Sequence, residues 1–199
     1  MEQHKDGSIR VGQHHYAKAI DYVVIDRDRR ASPAQACTPG EVKQLRSALG
    51  ALSFLARESR PDLSGPVSLL QGKVSGARVQ DLVEANFLVR LAKDYADLEI
   101  PIAAIRPSEM AVVAYGDAAF GIARDGASQA GQVMLAANRS ILDGKWSPVG
   151  VLSWRSHKIR RKVESAPAAE IQGLSQALAQ GDWVRALWHE IHDGRFGKD

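Results

Sequence analysis

Apolar side chains recur three or four positions apart in two stretches of the first half of the chain. The first stretch covers positions 42–55 and ends before Pro61, and the second covers positions 79–95. This spacing places the apolar side chains on one face of an α-helix. A capping-box pattern, Thr38 followed three residues later by Glu41, predicts where the first helix begins. In the second helix the predicted inward-facing residues are Leu82, Val83, Phe87, Leu88 and Leu91.

After residue 99 the pattern changes to short apolar runs. Three runs, at 110–116, 131–137 and 149–154, contain β-branched or aromatic residues and are separated by glycine, asparagine and proline. Such runs are typical of strands joined by turns, and three in succession predict an antiparallel meander. From Pro167 a long helical pattern follows. Its predicted apolar stripe consists of Ile171, Leu174, Leu178, Val184, Leu187, Trp188 and Ile191.

Composition narrows the class of protein. The 199 residues are 45% hydrophobic and 25% charged, which is typical of one or two globular domains. No run of about 18 apolar residues is present, and the N-terminus has no basic and apolar leader, so we expect an intracellular protein of the cytoplasm or nucleus, neither secreted nor membrane-bound. Cys37 is the only cysteine, which excludes an internal disulfide and a thiolate metal cluster.

The formal net charge of +3 is unevenly distributed. Positions 155–162 read RSHKIRRK, where lysine and arginine are dense enough to contact phosphates, because these side chains displace the counterions condensed on nucleic acid. The predicted nucleic-acid-binding residues are Arg155, Lys158, Arg160, Arg161 and Lys162. A solvated basic loop is the alternative that the sequence leaves open.

Two carboxylates are candidates for chemistry. Asp117 ends the first predicted strand of the meander, in AYGDAAF, and Glu170 lies in what we predict to be the first turn of the long helix. A helix packed on one face of the meander could bring Glu170 against the strand that carries Asp117, and facing carboxylates suit Mg²⁺. The alternative for Asp117 is an aspartate that closes a turn.

Aromatic residues near these carboxylates have two interpretations. Tyr115, two positions before Asp117, shares its face of the strand, so a substrate contact and a core role both stay open. Trp154, Trp183 and Trp188 are interpreted as structural, because they end an apolar strand or fall on the long helix.

Three segments of the second half occur in the order of a known family. AYGDAAF, LSWRSHK and SAPAAE resemble the first half of a ribonuclease H domain, in the version at the end of copia-type retrotransposon polyproteins. The resemblance implies that Asp117 and Glu170 are catalytic carboxylates that bind Mg²⁺ or Mn²⁺. It also implies an RNA–DNA hybrid as partner, with cleavage of its RNA strand during reverse transcription.

The first half extends the resemblance. LRSALGALSFLARESRPDL and SIRVGQHHYAKAI are similar to segments at the end of the reverse transcriptase of the same family. The implied organisation is the end of the polymerase palm and a linker over 1–37, a helical thumb or connection region over 38–98, and a partial ribonuclease H-like domain, strand–strand–strand–helix, over 108–199. The predicted fold class is therefore α+β.

The family's active sites extend beyond this sequence. Its polymerase aspartates belong before residue 1, and its later ribonuclease H carboxylates belong after residue 199. We therefore expect a fragment of a Pol polyprotein that is inactive alone and has the rest of that polyprotein as a partner. The alternative is a catalytically dead nucleic-acid-binding or scaffold module. An unpaired edge on the first meander strand predicts poor solubility.

Overall fold

Six strands form one antiparallel sheet that carries helices on both faces. A computed structural model describes residues 1–193, so the end of the predicted third region, residues 194–199, lies outside the described residues. The strands are β1 (Glu2–Gln3), β2 (Ile9–Val11), β3 (Ile100–Ile102), β4 (Met110–Ala119), β5 (Gln129–Asn138) and β6 (Val149–Lys158). Their spatial order is β1-β2-β3-β6-β5-β4. This arrangement confirms the α+β fold class.

The predicted meander is present as β4, β5 and β6, but it is half of a larger sheet. β3 pairs with β6 through Ile102 and Gly150, and β2 and β1 follow outward. Strands of two or three residues are too short to show a period in the sequence, which is why the pattern predicts only three of the six. The sheet thus joins the segment predicted as the palm end to the meander.

The helices are α1 (His14–Ala19), α2 (Arg27–Arg30), α3 (Pro39–Glu58), α4 (Ser64–Gln71), α5 (Val79–Asp94) and α6 (Ala166–Asp193). The predicted capping box is confirmed: the Glu41 N–H donates to Thr38 Oγ1 at 3.2 Å, and the Thr38 N–H donates to Glu41 Oε2 at 2.7 Å. Hydrogen bonds from Arg29 to the same carboxylate lower the pKa of Glu41 to about 2. The start of α3 is therefore held by local contacts.

The main hydrophobic core lies among α3, α4 and α5. One expectation for α5 is wrong. Val83 and Phe87, predicted to face inward, are exposed, and Phe87 is 51% exposed. α5 instead packs through residues with smaller side chains, Ala85 and Ala92, together with Val89. Small side chains let the helix axes come close, and this decides which face is inward. The other buried members of the core include Leu45, Leu49, Leu52, Leu55, Leu63, Val67, Leu70, Leu82 and Leu88.

This helical region packs on one face of the sheet. Trp154 of β6 donates its indole N–H to the carbonyl of Ala56 in α3 at 2.7 Å. Arg124, in the connection between β4 and β5, contacts the fully buried carboxylate of Asp81 in α5 at 2.5 Å. A buried carboxylate needs such a partner, because desolvation of an unpaired charge is costly. The two contacts tie the sheet to the helices.

α6 packs on the opposite face of the sheet through very small residues. A Cβ added to Gly116 of β4 would lie 2.6 Å from the Cβ of Ala177. A Cβ added to Gly173 would lie 3.2 Å from the Cβ of Ala118. The helix backbone therefore comes almost into contact with β4, and this approach requires glycine on both elements.

Most of the predicted apolar stripe of α6 therefore faces away from the sheet. Val184 is buried, but Ile171, Leu174 and Leu178 are 68%, 52% and 58% exposed. The helix turns its glycine and alanine side toward the sheet, where larger side chains do not fit between the closely spaced backbones. Of the remaining predicted positions, Trp188 is half-buried, and Leu187 and Ile191 are exposed.

Candidate nucleic-acid interface

A groove of about 850 Å³ lies between β6, the loop after it and α6. Side chains alternate along a strand, so Arg155 and His157 of β6 both point toward α6. The loop that follows adds Arg160 and Arg161. Lys158 also lines the groove, at the end of the strand. Four of the five predicted basic residues thus meet in one groove, and Lys162 is exposed outside its lining.

The opposite wall of the groove is a polar stripe on α6. Gln172, Gln176 and Gln180 recur every four residues and therefore lie one above another on the helix. Trp183, interpreted from the sequence as structural, is 57% exposed at the end of the same wall. The groove accordingly combines arginine on one side with amides and an exposed indole on the other.

Most of the positive charge in the groove is free of protein carboxylates. Among the side chains of residues 1–191, none forms an ion pair with Arg155, Arg160 or Arg161. Lys158 differs, because its ammonium contacts the carboxylate of Asp125. Three guanidinium groups remain able to donate hydrogen bonds to an anion such as phosphate.

His157 lies on the floor of this groove, and the sequence patterns did not single it out as a site residue. Its Nε2 donates to the Gln176 side-chain oxygen, and its Nδ1 is buried with no hydrogen-bond partner among the described residues. Burial lowers the pKa of His157, the contact with Gln176 opposes this, and the nearby Arg155 and Arg160 charges lower it further. The ring is therefore held neutral beside two cations.

The two candidate carboxylates are placed differently from the expectation. Ala118 and Gly116 face α6, so Asp117 between them projects from the other face of the sheet. Glu170 is exposed, and it begins the second turn of α6 because that helix starts at Ala166. α6 packs on β4 as expected, but the strand alternation keeps the Asp117 carboxylate off the helix-facing surface.

The implied metal site finds no matching ligand set in the described chain. Asp117 Oδ1 accepts a hydrogen bond from the Ala118 N–H at 2.8 Å. Among the side chains described, those of residues 1–191, no group of three or more from histidine, cysteine, aspartate or glutamate could hold a metal ion. Cleavage with two metal ions needs several carboxylates around both ions. Asp117 and Glu170 do not by themselves make up such a set of carboxylates. The Mg²⁺ site therefore stays a prediction.

A second cavity, of about 380 Å³, opens on the face of the sheet from which Asp117 projects. Tyr115, exposed rather than in the core, and the half-buried Trp154 line it together with Asp117. The chain therefore has a cavity on each face of the sheet, one basic and one aromatic.

Comparisons of this chain with protein-family models, curated proteins and solved structures find no match. Among residues 1–193, no helix has both the length and the apolar character that crossing a bilayer requires.

Proposed function

We propose that this chain binds nucleic acid, and that the groove between β6 and α6 holds the phosphate backbone of an RNA–DNA hybrid. The observation that carries the proposal is the convergence of Arg155, Arg160 and Arg161 on one groove, where none of them pairs with a carboxylate of the described residues. Phosphate contacts of this kind provide most of the affinity of sequence-independent binding. The alternative from the sequence is a solvated basic loop. Such a loop would not need a second element, here α6, facing it across a groove.

The α6 wall favours a ligand that contains RNA. The amides of Gln172, Gln176 and Gln180 can both donate and accept, which suits the 2′-hydroxyl that distinguishes RNA from DNA. The exposed indole of Trp183 can pack on a sugar or base. An RNA–DNA hybrid offers both the hydroxyls and two phosphate backbones. This role fits the proposed origin in the reverse transcriptase and ribonuclease H region of a retrotransposon polyprotein.

Cleavage of the RNA strand is the second candidate function. It is favoured by the crossing of α6 over β4, where a Cβ on Gly173 would lie 3.0 Å from the carbonyl oxygen of Asp117, one helical turn from Glu170. It lacks a ligand set among the described residues, so we assign binding rather than hydrolysis to this chain. Mg²⁺-dependent cleavage of a hybrid, abolished by Glu170→Gln, would reverse that assignment.

The groove is tested with the double variant Arg160→Gln, Arg161→Gln. We expect it to weaken binding of a labelled RNA–DNA hybrid about tenfold, and to reduce the slope of log affinity against log salt by up to about 2, since each phosphate contact contributes about 0.9. Fluorescence anisotropy at several salt concentrations measures both quantities.

The matched control removes the same charge elsewhere. Arg27 and Arg30 are exposed on α2, outside the residues that line the groove, and Arg27→Gln, Arg30→Gln should leave the affinity within about twofold, because long-range screened charge contributes little. Equal weakening by both double variants would mean that only net charge matters. Binding that does not respond to salt would count against the proposal altogether.

A further inference from the structure

The aromatic cavity on the other face of the sheet is built from two rows of residues across three strands. One row is Tyr115, Val133 and Trp154, and the next is Asp117, Gly131 and Ser156. Residues directly opposite one another in an antiparallel sheet point to the same face, so each row is a line of neighbouring side chains. The cavity thus has an aromatic row beside a polar row.

Gly131 leaves the centre of this surface open. A Cβ added there would meet no atom within 4 Å, so the floor of the cavity is flat backbone with space above it. Above the floor, Pro61 in the turn before α4 and Ser64 and Gly65 at the start of α4 form the far wall. The volume of about 380 Å³ is within the range of small-ligand sites.

The walls are held in place by hydrogen bonds. The Ser156 N–H donates to Ser64 Oγ at 3.1 Å, which ties α4 to β6. The Trp154 indole N–H donates to the Ala56 carbonyl at 2.7 Å, which fixes the orientation of the ring. A site with fixed walls loses little entropy when a ligand enters.

The chemistry of the cavity favours a flat ring with hydrogen-bond donors on one edge. Tyr115 is 58% exposed, so its aromatic ring is open to a ligand. Asp117 uses only Oδ1, toward its own neighbour, and within the described chain Oδ2 accepts no hydrogen bond. A carboxylate beside aromatic surface can accept two parallel N–H donors from one ring.

We propose that this cavity is a nucleobase pocket that takes guanine. The ring lies over Gly131, beside the aromatic row that contains Tyr115 and Trp154, and its N1–H and exocyclic N2–H donate to the Asp117 carboxylate. Guanine has adjacent donors on its Watson–Crick edge, whereas adenine and cytosine each place an acceptor beside their amine. Proteins commonly read an unpaired base by stacking on aromatic rings together with hydrogen bonds to that edge. The pocket goes beyond the proposed function, because it lies on the other face from the phosphate groove.

The experiment uses guanosine, which has no phosphate and so makes no use of the arginine groove. ¹H–¹⁵N spectra of the whole chain are recorded during titration with guanosine, with inosine, which lacks the exocyclic amine, and with cytidine. We expect saturable shifts at the Asp117, Gly131 and Ser156 amides with guanosine, and at least fivefold weaker binding of inosine. Equal responses to all three nucleosides, or none up to the solubility limit of guanosine, would overturn the proposal.

Four variants test where guanosine binds. Asp117→Asn should weaken guanosine at least fivefold, while Asp143→Asn, at an exposed aspartate outside the cavity, should have no effect. Gly131→Val should abolish binding by filling the floor, and its spectrum shows directly whether the fold is retained. The double variant Arg160→Gln, Arg161→Gln should bind guanosine normally. The nucleobase pocket and the phosphate groove are therefore tested independently. Guanosine binding that survives Asp117→Asn unchanged would also overturn the proposal.

Discussion

His157 shows how one side chain connects stability, pH and the groove. Its imidazole is held neutral by burial, next to Arg155 and Arg160, with Gln176 of α6 as its hydrogen-bond partner. The buried Nδ1 without a partner is a polar group that the fold tolerates at some cost.

The lowered pKa predicts how stability changes with pH. The unfolded chain binds a proton near the ordinary histidine pKa of about 6.5, above the pKa of His157 in the folded protein. The contribution of His157 to stability is therefore complete above about pH 6.5 and is lost as the pH falls through the folded pKa. In urea unfolding across this range, His157→Gln should flatten the pH dependence, and His4→Gln, at an exposed histidine, should not. Parallel curves for His157→Gln and the unmodified protein would contradict the prediction.

At the scale of elements, the close contact between β4 and α6 decides which side chains fit on the face of the sheet that α6 covers. Gly116 of β4 leaves no room for a side chain against Ala177, while Gly131 of β5 faces open space on the other side of the sheet. Neither glycine has a positive φ, so backbone strain does not distinguish them. The two positions differ in the atoms that an added Cβ would meet, which are those of Ala177 at Gly116 and none within 4 Å at Gly131.

This pair of glycines makes a direct prediction. Gly116→Ala should destabilise the protein by about 1–3 kcal/mol, the usual cost of overpacking, because α6 must move away from the strand. Gly131→Ala should be neutral or slightly stabilising, since alanine loses less entropy on folding than glycine. Urea denaturation of both variants measures the free energies of unfolding. Equal effects at the two positions would mean that α6 does not pack at this distance.

At the scale of the whole molecule, two surfaces remain without a partner inside the described chain. β4 pairs only with β5, so its other edge presents free backbone groups. On α6, Ile171, Leu174 and Leu178 form an exposed apolar stripe. An open edge and an apolar stripe both favour association between chains, and the poor solubility expected from the sequence stays a prediction.

We expect the double variant Leu174→Glu, Leu178→Lys to lower the average mass of the protein in sedimentation velocity. The charged side chains would make burial of the stripe between two chains costly. Leu142→Glu is the control, because Leu142 is also an exposed leucine but lies outside α6. A monomeric unmodified protein, or an equal change with Leu142→Glu, would contradict a role for the stripe.

Features that depend on contacts between residues close in sequence were predictable, and features that depend on contacts between distant residues were not. The start of α3 at Thr38 was predicted and confirmed, since a capping box joins atoms only three residues apart. β4, β5 and β6 were predicted within a few residues of their ends, because alternation and turn residues act locally. α4 was missed, since SGPVSLLQ contains glycine and proline and gains its helical state from packing. The clustering of basic residues was visible in the sequence, but the groove needed the wall from α6.

By itself, the sequence determined the three long helices and the three long strands, where the positive charge is concentrated, and which carboxylates are candidates for chemistry. Only the tertiary structure decided that Asp117 projects away from α6, that the large side chains of α6 face outward, and that three short strands extend the sheet. The physical reason is that periodicity defines the faces of an element but not which face is buried. That choice is made by the partner, and here the close approach of two glycine-containing backbones outweighed the hydrophobicity of the leucine face.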